Sequence, residues 1–443
     1  MRHNKNKPVL GFLTRPAAHS LTRSLNKLRG GAVLVLSALL AANAGAAELA
    51  EPESVGLSKA KLDLATARLQ QHVNDGDIAG VVAAVARDGQ LVYQVALGKQ
   101  DIEKDIAMAE DSIFRIYSMA REITSVAALT LYDKGAFEFD DPVSQYLPEF
   151  SDQRVLIDPN SDDYSATRER VGEMTIAHLL THTSGLGSRN SALYRKNDVR
   201  NRDASLDVMV SKAASTPLFQ DPGTQFRYGI HATIIGKLIE VWSGKAFEGY
   251  LQEAVLDPLQ MDSTLFWAEG EPATRLAQLY RPTEGELKPY AIESVPWTQR
   301  PALIEGGVGL LSTVPDFVKF SQMVLEKGKI PGTQRRLLSP ETAELMFANA
   351  VPDAAMPIGD SRYWLGSGWS LGGFNVVLDP STYAYPVSKG TIWWDGSAGT
   401  RFFIDPVQGT VLVIMAQISP SSGGGFRENF SRLVDAAITV RRK

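Results

Sequence analysis

At 443 residues the chain is long enough for one large domain with an insertion, or for two domains. Its 44% hydrophobic and 21% charged residues suit a globular protein with a sizeable core, and a net charge of −5 argues against nucleic acid as a partner, since phosphate-binding surfaces need clustered Lys and Arg. The absence of cysteine removes disulfides, thiolate metal sites, Cys nucleophiles and a lipidated N-terminal Cys together.

Residues 1–47 carry Arg2, Lys5, Lys7, Arg15, Arg23, Lys27 and Arg29 but no acid; the first carboxylate is Glu48. An apolar run from Ala32 to Ala42 leads into Asn43-Ala44-Gly45-Ala46-Ala47. A basic region, a short apolar core and an A-x-A-like end read as a secretory signal peptide, cut after Ala44 or Ala46. The core is short and diluted by small residues for a spanning helix of about 20 residues, so removal is expected rather than anchoring. No later stretch is a transmembrane candidate. The expected product is exported, most simply to a bacterial periplasm, with no stable membrane insertion.

Leu57 to Val73 has helical apolar spacing, with Ser58 placed as an N-cap. Gly80 to Arg87 and Gln90 to Ala96 are β-rich runs around Asp88-Gly89, which predicts a hairpin. From about 115 to 300 the pattern is of helices joined by Pro/Gly/Asp loops, including Ile123 to Lys134, Thr175 to Thr181, and His231 to Ser243 closing on Gly244. Thr391 to Trp394, Arg401 to Ile404 and Val411 to Gln417 read as strands, and Phe426 to Arg442 as a terminal amphipathic helix. Strands at both ends and helices between them predict an α+β fold. One antiparallel sheet is built from 48–114 and 301–443, with a mostly helical region, 115–300, inserted.

Ser118 lies where a helix is predicted to begin, in Phe114-Arg115-Ile116-Tyr117-Ser118-Met119-Ala120-Arg121. Free N–H groups and the positive dipole end there favour a developing oxyanion, although most serines at such positions are simple N-caps. Arg121 rather than Glu at the third position after Ser118 gives the capping box no support. His178 and His182, four apart, invite a metal reading, but no third ligand is apparent and a structural role is preferred.

Several strings in order resemble the serine β-lactamase-related family, which includes class C β-lactamases, penicillin-binding peptidases and family VIII carboxylesterases. Ser118 to Arg121 is similar to that family's S-x-x-K segment. Tyr132 to Val143, Thr175-Ile176-Ala177-His178-Leu179-Leu180-Thr181-His182-Thr183-Ser184-Gly185-Leu186, Phe226-Arg227-Tyr228-Gly229-Ile230, Gly306 to Thr313 and Trp394-Asp395-Gly396-Ser397 complete the order. The likeness spans about residues 50 to 440, so that 48–443 reads as one serine-hydrolase domain of β-lactamase/transpeptidase-like fold. The resemblance implies acylation of Ser118 by an ester or amide, an oxyanion hole from the N–H groups of Ser118 and Ser397, and proton transfer by Tyr228. It implies substrate contacts at Trp394, Gly396 and Ile230, and neither a metal nor an organic cofactor.

Three positions depart from the pattern. Arg121 occupies the lysine position, and deprotonating an arginine at pH 7 would cost about 7 kcal/mol, more than general-base catalysis returns, so Arg121 is not the base. Its fixed charge would instead lower the phenol pKa of Tyr228; alternatively it pairs with Glu122 or another acid and the machinery is silent. His231 is a substitute base only if it faces the same space. Ile230 replaces the Asn of Y-x-N, and Trp394 replaces the carboxylate-binding Lys of K-T-G. These two changes point to neutral esters and a carboxylesterase-like hydrolase. The alternatives are an inactive member that binds a peptidoglycan-like ligand in the cleft, and a β-lactamase or D-Ala-D-Ala carboxypeptidase, which Ile230 and Trp394 disfavour.

Overall fold

Residues 80–87 form a strand without a single exposed position, Gly80-Val81-Val82-Ala83-Ala84-Val85-Ala86-Arg87, because both of its faces are covered. In the computed structural model, which describes residues 49–359, 361 and 363–442, this strand (β1) pairs antiparallel with β2, Gln90–Asp101. The expected leader, residues 1–47, lies outside the described residues. On its other side β1 pairs with a strand from the far end of the chain, so the sheet is closed by both termini as expected.

The elements around it are α1 (Lys59–Asn74), β3 (Ile106–Ala107), α2 (Ala120–Tyr132), α3 (Ile176–Leu180), α4 (His231–Ser243) and α5 (Val314–Leu325). The C-terminal part adds β4 (Ser367–Trp369), β5 (Asn375–Val377), β6 (Ile392–Gly396), β7 (Thr400–Asp405), β8 (Thr410–Ala416) and α6 (Phe426–Ala437). The sheet order is β4-β5-β6-β7-β8-β1-β2-β3, with every pairing antiparallel.

The two-residue period of a strand divides the core in two. Val81, Ala83 and Val85 pack with Leu62 and Leu69 of α1 and Phe430 and Val434 of α6. Val82, Ala84 and Ala86 face the other way, into a larger core holding α2, α4 and α5. Trp393 and Trp394 separate by the same rule, one into each core.

Local signals set most boundaries. The Ser58 side chain caps α1 through the Lys61 N–H, and Gly244 ends α4 in the left-handed conformation at φ +68°. α2 begins at Ala120, earlier than the apolar spacing suggests, and ends at Tyr132. The terminal helix stops at Ala437 rather than Arg442. Ile438 bridges to Leu57, and the Val440 carbonyl accepts from the buried Arg87 guanidinium at 2.7 Å; both contacts need extended chain. Among the described residues no helix is long and apolar enough to cross a membrane.

Candidate active site

Ser118 sits on a sharp turn between a strand and a helix. Phe114–Arg115 pairs antiparallel with Leu311–Ser312, and the Ile116 N–H continues the ladder to the Leu310 carbonyl at 3.2 Å. Tyr117 then takes a left-handed φ of +44° before a 3₁₀ turn, Tyr117–Met119, runs into α2. A bulky residue in that region carries about 1–3 kcal/mol of strain. Packing holds it there: the Tyr117 ring is fully buried and meets the edge of Trp297 at 5.7 Å between centroids. Because every residue of α2 from Ala120 to Leu131 is buried, Arg121 and Glu122 are carried into the interior.

Tyr228 comes from the loop before α4. The Arg227 N–H bonds the His182 carbonyl at 2.8 Å and the Ile230 N–H bonds the Gly187 carbonyl at 3.2 Å. Gly229 is forced by this docking, since a Cβ there would lie 2.3 Å from the Gly187 oxygen. The Tyr228 hydroxyl accepts from Trp394 Nε1 at 2.9 Å, and Tyr228 lines both cavities beside Ser118. Burial pushes the Tyr228 phenol up; the Arg121 charge opposes this, helped by the hydrogen bonds from Ser118 and Trp394. Arg121 Cζ stands 4.3 Å from the centre of the Tyr228 ring, and its Nη1 donates to the Gly229 carbonyl at 2.7 Å.

At the end of β6, a Cβ on Gly396 would lie 2.3 Å from the Ile116 carbonyl oxygen and from Thr400 Oγ1. Only glycine lets the strand end approach the turn that carries Ser118, and Ser397 follows directly. Ser118 and Ser397 border two cavities. One, of about 210 Å³, includes Arg121, Arg189, Arg200, Ile230 and Glu305 in its wall. The other, of about 630 Å³, is bounded by Tyr363, Trp364, Trp394 and Asp395, with Arg401, Arg427 and Glu428 beyond. Tyr228 lies on both.

The structure thus gathers Ser118, Arg121, Tyr228, Ile230, Trp394 and Ser397. Gly396, expected as a substrate contact, lines neither cavity. The pairing of Arg121 with Glu122 is not found: among the described residues both Glu122 carboxyl oxygens are buried without a partner. Burial raises the Glu122 carboxyl well above its usual range, which disfavours its charged form.

His231 does not face the cleft. Its fully buried ring meets His182 Nδ1 to Nδ1 at 2.8 Å, and burial, with Arg121 adding to it, brings its pKa down to about 3. His178 accepts the Thr175 N–H in a capping box and so parts company with His182. Sequence reasoning missed Arg189, Arg200, Glu305, Tyr363 and Trp364. No local string marks them, since they meet Ser118 only through the folded chain.

A β-lactamase family model matches residues 65–436. Esterase EstB of Burkholderia gladioli is 28% identical over 396 residues, 82% of this chain and 93% of that protein. Monacolin J acid methylbutanoyltransferase of Aspergillus terreus is 28% identical over 375 residues, 79% of this chain and 88% of its own. The solved structure of EstCE1, a hydrolase with promiscuous acyltransferase activity, has a TM-score of 0.73 at 24% identity, covering 86% of this chain and 99% of that one. That last likeness speaks for the fold.

Proposed function

The chain belongs to the β-lactamase family, and we propose that it is an acyl-transferring serine hydrolase of the carboxylesterase type. Tyr228, as phenolate, takes the Ser118 hydroxyl proton while Ser118 Oγ attacks the ester carbonyl. The N–H groups of Ser118 and Ser397 hold the oxyanion, and Tyr228 returns the proton to the departing alkoxide. Water, or an alcohol in a transfer reaction, then loses its proton to Tyr228 as it attacks the acyl-serine ester. Tyr228 passes that proton to Ser118 Oγ as the acyl bond breaks, releasing the acid or a new ester and restoring the Ser118 hydroxyl and the Tyr228 phenolate.

The observation that carries this reading is that the Tyr228 hydroxyl, held by Trp394 Nε1 at 2.9 Å, shares the walls of both cavities with Ser118. Arg121 supplies a fixed cation against Tyr228, where the family's lysine would supply one that can also lose a proton. Burial outweighs the Arg121 charge and leaves the Tyr228 phenol raised, which sets the working range toward alkaline pH. An esterase and an acyltransferase among the relatives agree with either acceptor, water or alcohol. We further propose that residues 1–47 are a cleaved leader and that the mature enzyme works in the periplasm.

Hydrolysis of 4-nitrophenyl butyrate by the mature chain and by Ser118→Ala tests the proposal. A rate above background that vanishes in the variant is expected. Equal, background-level rates would overturn the hydrolase and leave the cleft to ligand binding alone.

A further inference from the structure

The smaller cavity beside Ser118 has an unusual wall. Arg121, Arg189 and Arg200 line it against one carboxylate, Glu305. Arg200 is fully spent: its Nε reaches both Glu305 oxygens at 3.0 Å, its Nη1 reaches Glu293 at 3.0 Å, and its Nη2 also bonds Glu305. The other two are not. Arg189 makes a single ion pair, Nη1 to Glu293 Oε1 at 3.2 Å, and among the described residues its other nitrogens have no protein acceptor. Arg121, 6% exposed, gives one bond to the Gly229 carbonyl and keeps a buried Nε without a partner.

The one carboxyl adjoining Arg121 in sequence, Glu122, makes no ion pair with it: among the described residues both of its oxygens are buried without a partner. Two guanidinium groups with donors left over therefore converge on a space that touches the nucleophile. Each carries five N–H donors in a planar fork that matches a carboxylate.

From this wall we infer that the 210 Å³ cavity is an acyl pocket for a short chain ending in a carboxylate, so that the preferred substrates are half-esters of dicarboxylic acids of succinyl or glutaryl size. The inference rests on the hydrolase reading and names its substrate class. The assignment to the acyl side follows from the two cavities: the acyl group stays bound through both half-reactions, whereas the alcohol must leave and an acceptor must enter, which suits the 630 Å³ side. At about 30 Å³ per water the small cavity holds roughly seven waters, enough for a four- or five-carbon acid and little more. It differs from the carboxylate site that a K-T-G lysine would make, which lies on β6 and is occupied here by Trp394. The preference for a carboxylate-ended acyl group departs from the neutral esters expected from Ile230 and Trp394.

The test compares monoethyl succinate with ethyl butyrate, equal in acyl length, by ethanol released at low ionic strength. Alkyl esters are used because an aryl hemisuccinate cleaves itself. A kcat/KM at least tenfold higher for the half-ester is expected; equal values or a preference for butyrate overturn the inference. Arg189→Gln should cut the ratio of the two kcat/KM values at least tenfold, and Arg189→Lys should restore part of it. An unchanged ratio in a folded Arg189→Gln protein counts against the pocket.

If neither ester gives Ser118-dependent release, the hydrolase reading fails by itself, and calorimetry of succinate with Ser118→Ala then decides the pocket. Submillimolar binding, weakened at least tenfold by adding Arg189→Gln, supports it. No binding overturns it.

Discussion

At the end of β1, Arg87 is 1% exposed and donates from every nitrogen, Nε to Gln408 at 3.0 Å, Nη1 to Gly56 at 2.9 Å and Nη2 to Val440 at 2.7 Å. In the cleft, Arg121 is 6% exposed, donates once to a carbonyl and rests its flat face on Tyr228. The first arginine fastens the C-terminal tail and the α1 entry to the sheet. The second is also buried but left under-bonded, a condition that costs stability unless a ligand or the chemistry uses it. The contrast separates a cation spent on the fold from one held for the site.

Removing the saturated arginine is the most damaging way to probe that difference. Arg87→Ala strands three backbone carbonyls and should cost about 3 kcal/mol or more. Urea unfolding should show it as a lower midpoint, while Ser118-dependent esterase activity of the folded fraction persists. A midpoint unchanged by Arg87→Ala would erase the distinction.

Next comes Arg121→Lys, which should leave the midpoint nearly unmoved and raise kcat/KM for 4-nitrophenyl butyrate at pH 7 about tenfold, roughly 1.4 kcal/mol, since a lysine can cede its proton. In the parent chain the rate should climb with pH above neutrality, because the raised phenol must ionise to act. A parent profile flat from pH 7 to 10 would remove Tyr228 from the role of base.

The smallest effect belongs to Glu122. Its folded pKa is raised above the usual 4.5, so above that value the unfolded chain releases a proton that the folded chain keeps, and stability falls as pH rises. Glu122→Gln should therefore stabilise the fold more at pH 8 than at pH 4, read as a larger gain in urea midpoint at the higher pH. Equal gains at both pH values would show that Glu122 is ionised in the fold.

The site was legible where its chemistry lies in strings. Ser118, Tyr228, Trp394 and Ser397 stand in motifs whose order survives without structural knowledge, and all four meet at the cavities. The partners that tune them were not legible. His182 and His231 share a bond across 49 positions, and Arg200 reaches Glu305 across 105. The first of these corrected His231 from a candidate base to a buried neutral ring. The left-handed Tyr117 was equally hidden, because tyrosine has no preference for that conformation and takes it only under packing against Trp297.

By itself the sequence determined the elements whose causes are local: the Ser58 cap, the Asp88-Gly89 hairpin, the Gly244 stop, and the apolar strands at both ends that demand one sheet. It also carried the identity of the residues at the nucleophile, tyrosine and lysine positions, and with Arg121 the fact that one of them is altered. Tertiary structure alone decided that Arg121 stays in the cleft without a carboxylate, that the terminal helix yields at Ile438 to a strand-like tail, and that Arg189 joins the wall beside Ser118. Local dihedral preference and periodicity are written in neighbouring residues. Charge balance and hydrogen-bond saturation depend on which distant groups share a volume, and folding settles that.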